Sequence, residues 1–201
     1  KDSIIEFPTS TGLEMIYEFG DEAKDSEFEG FYDDCYEMVN AINVILAEIE
    51  DNDVLSETQY RQVTAEMLAC RAYAHYILQL VYAQNYSFTT DASHPGIVYN
   101  LGPLVAGVDF PSRLSLAESY QLIKADMEDA LENFTGIPFL SYGNENTYFN
   151  TITASAAFAR IALQMNDWES AHLYADYVIG NADLRLTPDS LYVSQWEDPE
   201  Y

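Results

Sequence analysis

Between residues 57 and 83 the apolar positions never leave helical register: Tyr60, Val63, Met67, Cys70, Ala74, Ile77 and Val81 step by three and four in strict alternation. That spacing puts them on one face of a helix of about seven turns. Leu68, Ala72, Tyr76 and Leu80 add a flank beside the stripe, so other helices are expected to cover this one from more than one side. Ser56 with Gln59 three residues on predicts a capping box at its start. Upstream, Phe28, Phe31, Cys35, Met38, Ile42, Ile45 and Ile49 repeat the alternation, with Tyr32, Val39 and Leu46 beside them, and predict a second long helix over 28–50. The polar link at 51–55 is short, so the two helices are expected to fold back as an antiparallel hairpin.

Periodicity then stops. Residues 84–114 hold three Pro and three Gly, an excursion too long for a mere connection. Tyr86, Phe88, Tyr99 and Phe110 within it argue for an ordered loop. A third helix follows, with Ser115 and Glu118 as capping box and Leu116, Tyr120, Ile123, Met127, Ala130 and Phe134 as buried stripe, ending by 135–136. A second polar and aromatic loop, 137–150, leads to a pair of short helices. Ala157, Phe158, Ile161, Ala162 and Met165 mark the first, and Trp168, Ala171, Ala175 and Val178 the second. Ala159 and Ala171 are spaced across the turn as in tetratricopeptide repeats, where small residues let two helices approach closely. Asn166 stands where that turn usually has Gly, and Asn also tolerates left-handed backbone. The predicted fold is all-α: tetratricopeptide-like helical hairpins packed in layers, with long aromatic loops. Residues 1–27 read as an irregular lead-in to a single domain over 1–201, expected to be the N-terminal part of a longer protein.

Charge narrows the functional classes. Eight Lys plus Arg against 34 Asp plus Glu give a net charge of −26, which repels phosphate backbones and anionic lipid and speaks against nucleic-acid binding. The acids are spread along the chain, so they read as solvated helix faces, without the clustered loop spacing of a divalent-cation site. Sixteen Tyr and ten Phe, by contrast, are many for so acidic a chain. Tyrosine offers a flat apolar face and a hydroxyl, which suits a sugar ligand. Cys35 and Cys70 lie nearly equidistant from the hairpin turn, with a mismatch of about 3 Å of helix rise. Two readings stay open: a pair of buried core thiols, or a cross-helix disulfide.

No nucleophile, phosphate-loop, dinucleotide or zinc motif occurs. His75 lies between two tyrosines with no Ser or Cys nucleophile to serve, and reads as a structural histidine. His94, before Pro95 and with no second His or Cys nearby, reads as a turn residue. Asp33 and Asp34 are consecutive and diverge on a helix, so they form no acid/base pair. The chain is therefore expected to be no enzyme, with no cofactor and no metal.

Four segments, in order over residues 30–180, carry a resemblance. Arg71-Ala72-Tyr73 followed by Tyr76, Leu78 and Leu80 resembles the long helix of the SusD/RagB family of outer-membrane nutrient-binding lipoproteins. Tyr36 with Ala41-Ile42-Asn43 is similar to the family's segment upstream. Arg113-Leu114-Ser115 leading to Glu118, Tyr120, Ile123, Asp126-Met127 and Ala130 is similar to the segment downstream, and residues 157–179 to its helix pair. Where the family usually has Gly and then Pro after the long helix, this chain reads Tyr82-Ala83-Gln84-Asn85-Tyr86.

The resemblance implies a tetratricopeptide-like scaffold on the outer membrane at the cell surface. It would bind oligosaccharide or another nutrient without catalysis and pass it to a SusC-like TonB-dependent transporter. Its tie to the membrane would be only a lipid anchor that is absent from this chain. The alternative is a tetratricopeptide-like protein-protein adaptor with no glycan binding of its own. Loop aromatics and amides are the ligand-binding candidates: Tyr17, Phe19, Tyr99, Asn100, Tyr142 and Asn144. Arg71 reads as a charge snorkelling from the helix edge or bonded to a carbonyl, and Arg113 as half of a structural ion pair. Ala74→Asp, placed mid-stripe, is expected to unfold the domain, and Tyr99→Ala to leave the melting curve nearly intact.

Overall fold

The structure, a computed structural model, describes residues 26–50, 54–137, 147–182 and 188–197. It separates into two compact units, Lys1–Phe139 and Leu140–Tyr201. The first unit holds α1 (Ser26–Glu50), α2 (Glu57–Tyr82), a single 3-10 turn (Tyr86–Phe88) and α3 (Leu116–Asn133); the second holds α4 (Thr151–Gln164), α5 (Trp168–Asn181) and α6 (Asp189–Glu197). Among the described residues no strand forms, and no helix is long and apolar enough to cross a membrane. The fold is all-α, as the periodicity predicts.

Both predicted capping boxes are present. The Ser56 side chain accepts from the Gln59 amide while Gln59 reaches back, and Ser115 and Glu118 do the same at α3. Each box satisfies two backbone donors that a helix start leaves open. In the second unit α4 packs on α5, and Phe158 stacks on Tyr174 at 4.3 Å. Asn166 takes φ +60 at their turn, the left-handed backbone expected there. Asp167 caps α5 by accepting from the Ser170 amide.

In the first unit α2 packs against both α1 and α3. It is covered from more than one side, as expected, and its burial reaches beyond the predicted stripe. Of the predicted stripe Val63 and Ala74 are buried, Met67, Cys70 and Ile77 half-buried, and Tyr60 and Val81 exposed; of the flank Leu68, Ala72 and Tyr76 are buried, and Ala65, Ala69 and Leu78 are covered besides. Polar residues take part in that burial: Gln62, Glu66, Arg71, His75 and Gln79 are buried as well, spread around the helix. Alanines there let neighbouring backbones come close, and Gln62, Arg71 and His75 find partners on neighbouring elements. A hydrophobic count scores those positions as solvent-facing. On α3, where few polar residues enter the core, Leu116, Tyr120, Ile123, Met127 and Ala130 of the predicted stripe are buried, and Phe134, the C-cap, is half-buried.

The α1–α2 hairpin is antiparallel, but its register separates the cysteines. Cys35 clusters with Leu78 and Ile97, Tyr36 faces His75 with ring centres 6.3 Å apart, and Asn43 meets Arg71. Cys35 thus lies level with a residue eight positions, or about 12 Å of rise, beyond Cys70. Both thiols are free. Burial, then the Glu66 charge, pushes the Cys70 thiol up to about 11. The register follows these side-chain contacts, and the midpoint of the link is a poor guide to it.

The long connection 84–114 is anchored at both ends. Pro95 and Ser115 form an isolated antiparallel bridge, with Gly96 N–H donating to the Leu114 carbonyl at 2.8 Å and Leu114 N–H to the Ile97 carbonyl at 3.0 Å. A Cβ at Gly96 would fall 2.5 Å from Ser119 Oγ and 3.0 Å from the Leu116 Cα, so only glycine fits this approach.

Candidate functional site

Beneath the loop lies a buried polar network. Arg71 Nε and Nη2 each donate at 2.7 Å to the Asp126 carboxylate, one to either oxygen, and Nη1 donates to Asn43 Oδ1 at 2.8 Å and to the Leu101 carbonyl at 3.3 Å. Burial works against the Arg71 charge, but the Asp126 hydrogen bonds and charge outweigh it and raise its pKa. Arg71 therefore neither snorkels nor rests on carbonyls alone: α3 supplies its counter-ion in the core. Tyr99 donates its hydroxyl to Asp126 Oδ2 at 2.6 Å and stacks on His75 with ring centres 3.8 Å apart. Burial, reinforced by the Asp126 charge, holds that hydroxyl well above the usual phenol range, so it stays a donor.

His75 is fully buried. Its Nδ1 lies 2.9 Å from the Arg71 carbonyl and its Nε2 accepts from the Asn100 amide at 3.2 Å. That pairing assigns the proton to Nδ1, since the carbonyl can only accept and the amide can only donate. Desolvation first, and the Arg71 charge after it, bring its pKa down to about 3 despite the carbonyl bond. The ring is a neutral structural post.

The loop over this network is held by side chains one helical turn apart on α1. Asn43 Nδ2 donates to the carbonyls of Asn100 and Gly102 at 3.1 and 3.2 Å, and Asn40 Oδ1 accepts from the Leu104 amide at 2.8 Å. Further on, Asp109 Oδ2 accepts from the Val105 amide at 2.8 Å, closing a turn with Gly107 at φ +77. The backbone is bound while Leu101, Val105, Val108 and Phe110 stay exposed, Phe110 at 83%.

Between this loop and α1 runs a cleft of about 500 Å³, lined by Tyr32, Tyr36, Glu37 and Asn40 of α1 and by Val98, Asn100, Leu104, Val105, Ala106, Asp109, Phe110 and Pro111. Tyr32 and Tyr36 sit with ring centres 4.6 Å apart, and Tyr32 meets Tyr82 edge-on at 5.2 Å. Tyr36 donates its hydroxyl to the Val98 carbonyl at 2.8 Å, which fixes the ring. A smaller recess of about 210 Å³ shares Tyr32, Tyr36 and Val98 with the cleft and adds Tyr82, Ile97 and Arg113. Arg113 binds the carbonyls of Gly96, Tyr82 and Pro95, and among the described residues no carboxylate pairs with it. Flat aromatic walls beside amide and carboxylate groups are what a sugar ring needs, apolar on its faces and hydroxylated at its rim.

Of the residues nominated from sequence, Tyr17, Phe19, Tyr142 and Asn144 lie outside the described residues. Tyr99 and Asn100 come together, but inside. They are 8% and 5% exposed, Tyr99 in the network and Asn100 on the cleft floor. A tyrosine in a proline- and glycine-rich loop looks solvent-facing in sequence, yet Asp126 and His75 draw it under. The residues that line the open surface, Tyr32, Tyr36, Glu37 and Asn40, were missed because they sit on a helix. Their signal was the i, i+4, i+8 run Tyr32, Tyr36, Asn40 beside the apolar stripe.

A SusD-like family model, described as starch-binding and associating with the outer membrane, matches residues 10–163. No curated protein sequence matches the chain. Among solved structures, a SusD superfamily protein from Bacteroides thetaiotaomicron is 22% identical with a TM-score of 0.77, over 94% of this chain and 40% of its own. One from Bacteroides vulgatus is 23% identical with a TM-score of 0.78, over 93% of this chain and 42% of its own. A laminarin-binding SusD-like protein is 19% identical with a TM-score of 0.59, over 79% of this chain and 31% of its own. At these identities the likeness is one of fold, and the chain spans only about two fifths of the first two structures.

Proposed function

The chain belongs to the SusD-like family, and from that premise we propose that it binds oligosaccharide at the outer surface of the outer membrane, without turnover, for delivery to a SusC-like TonB-dependent transporter. The observation that carries the reading is the cleft between α1 and the pinned loop, with Tyr32, Tyr36 and Phe110 as stacking surfaces and Glu37, Asn40 and Asp109 as polar groups around them. A pre-formed site spends little binding energy on ordering itself. Here the ordering is done in advance by Asn40, Asn43 and Arg71. A lipid anchor would make the attachment to the membrane.

The exposed Leu101 and Val108 on the bound loop backbone favour a protein contact beside the cleft, which suits the transporter. The same residues support the adaptor reading, in which the chain meets only proteins. Native gels containing laminarin, starch or other polysaccharides, with reducing-sugar release assayed in parallel, separate the readings. Retardation without sugar release is expected. Release would point to a hydrolase, and no retardation by any polysaccharide would leave the adaptor.

A further inference from the structure

We infer that the cleft selects uncharged glycans and excludes those bearing sulfate or carboxylate groups. The inference rests on the binding reading above and adds the substrate class. Two carboxylates, Glu37 and Asp109, line the cleft, and among the described residues no Lys or Arg does. Asp109 spends one oxygen on the Val105 amide, a neutral donor that leaves its charge in place. Arg71, below the floor, is matched by Asp126 at two contacts of 2.7 Å and screened by Asn43 and the loop backbone. Arg113 belongs to the neighbouring recess, where its donors are turned to the Gly96, Tyr82 and Pro95 carbonyls.

An anionic sugar entering between Glu37 and Asp109 therefore meets like charge on both walls, against the background of a chain at −26. A neutral sugar meets two acceptors for its hydroxyls at no such cost. Charge repulsion of this kind discriminates between ligands that share a backbone, since it penalises one without strengthening the other.

Matched pairs test it: laminarin against sulfated laminarin, and starch against carboxymethyl starch, in retardation gels at low and high salt with the parent chain and a Glu37→Gln, Asp109→Asn double variant. For a polysaccharide that retards the parent, the charged form is expected to bind about tenfold more weakly or worse at low salt. The gap should narrow at high salt, as screening requires, and narrow to less than about threefold in the double variant. Equal retardation of both forms by the parent overturns the inference and leaves glycan binding standing. So does a gap indifferent to salt and to the double variant, which would mark bulk as the cause. Failure of every polysaccharide to retard the parent overturns the binding reading and this inference with it.

Discussion

Arg71 of α2 grips Asp126 of α3 through two parallel contacts of 2.7 Å, with both side chains under a tenth exposed. The same Asp126 oxygen that takes Arg71 Nε also takes the Tyr99 hydroxyl, and Arg71 also holds Asn43 and the Leu101 carbonyl. One ion pair thus ties three helices to the loop that walls the cleft. Removing one partner of such a pair strands the other charge in the core, at about 3–5 kcal/mol. Asp126→Ala is expected to lower stability by that order in urea melts, while an Arg71→Met, Asp126→Leu double variant should recover part of the loss. A double variant that melts below Asp126→Ala would contradict the stranded-charge account.

Tyr99 carries a prediction opposite to the one its loop sequence suggests. Tyr99→Phe keeps the ring on His75 and loses the hydroxyl's bonds to Asp126 and, at 3.4 Å, to the Leu122 carbonyl, at about 1–3 kcal/mol. Tyr99→Ala also opens a hole beside His75, and about 3–5 kcal/mol is expected. Thermal melts of the two variants, with Ala74→Asp as an unfolded reference at a position only 3% exposed, give the ranking directly.

His75 makes stability depend on acid. Its folded pKa of about 3 lies below the ~6.5 of an unfolded histidine, so below pH 6.5 the unfolded chain takes up a proton that the native chain refuses. Stability held above about pH 6.5 is lost as pH falls towards 3, at about 1.4 kcal/mol per pH unit. The 34 acidic residues respond to acid too, so the useful quantity is a difference. Urea melts of parent and His75→Asn at pH 6.5 and 4.5 should show the parent losing about 2–3 kcal/mol more than the variant. Equal losses would mean that His75 titrates normally.

Hairpins, capping boxes and the Asn166 turn were legible because each is local: a period, a pair three residues apart, a residue tolerant of positive φ. The cleft was less so. Its stacking residues sit on α1 in positions that read as a helix flank, and Tyr99, the more conspicuous loop tyrosine, is drawn inside by Asp126, 27 residues away. The polar part of the α2 core has the same origin, since Arg71 and His75 become core residues only once Asp126, Asn43 and Asn100 are placed beside them. Long-range polar pairing leaves no periodic trace.

Gly96 and Asn40 separate loop anchoring from folding. Gly96→Ala pushes a Cβ against Ser119 and the Leu116 backbone, and a lowered melting temperature is expected. Asn40→Ala removes one acceptor from the Leu104 amide, costing about 1 kcal/mol while freeing the cleft wall. Hydrogen exchange should speed up at 102–106 in Asn40→Ala and stay unchanged in α3. Acceleration spread over the whole unit would place Asn40 in the fold's foundations and not in the loop's anchoring.

The central claim is that the cleft between α1 and the pinned loop is where glycan binds, and Phe110 tests it most directly because it is 83% exposed and lines the cleft without supporting the core. The measurement is retardation of parent and Phe110→Ala by the same neutral polysaccharide, with melting curves taken alongside. Loss of a stacking face is worth about 1 kcal/mol or more, so affinity should fall about five- to tenfold with an unchanged melt. Undiminished binding by a folded Phe110→Ala, Tyr32→Ala double variant would contradict the claim.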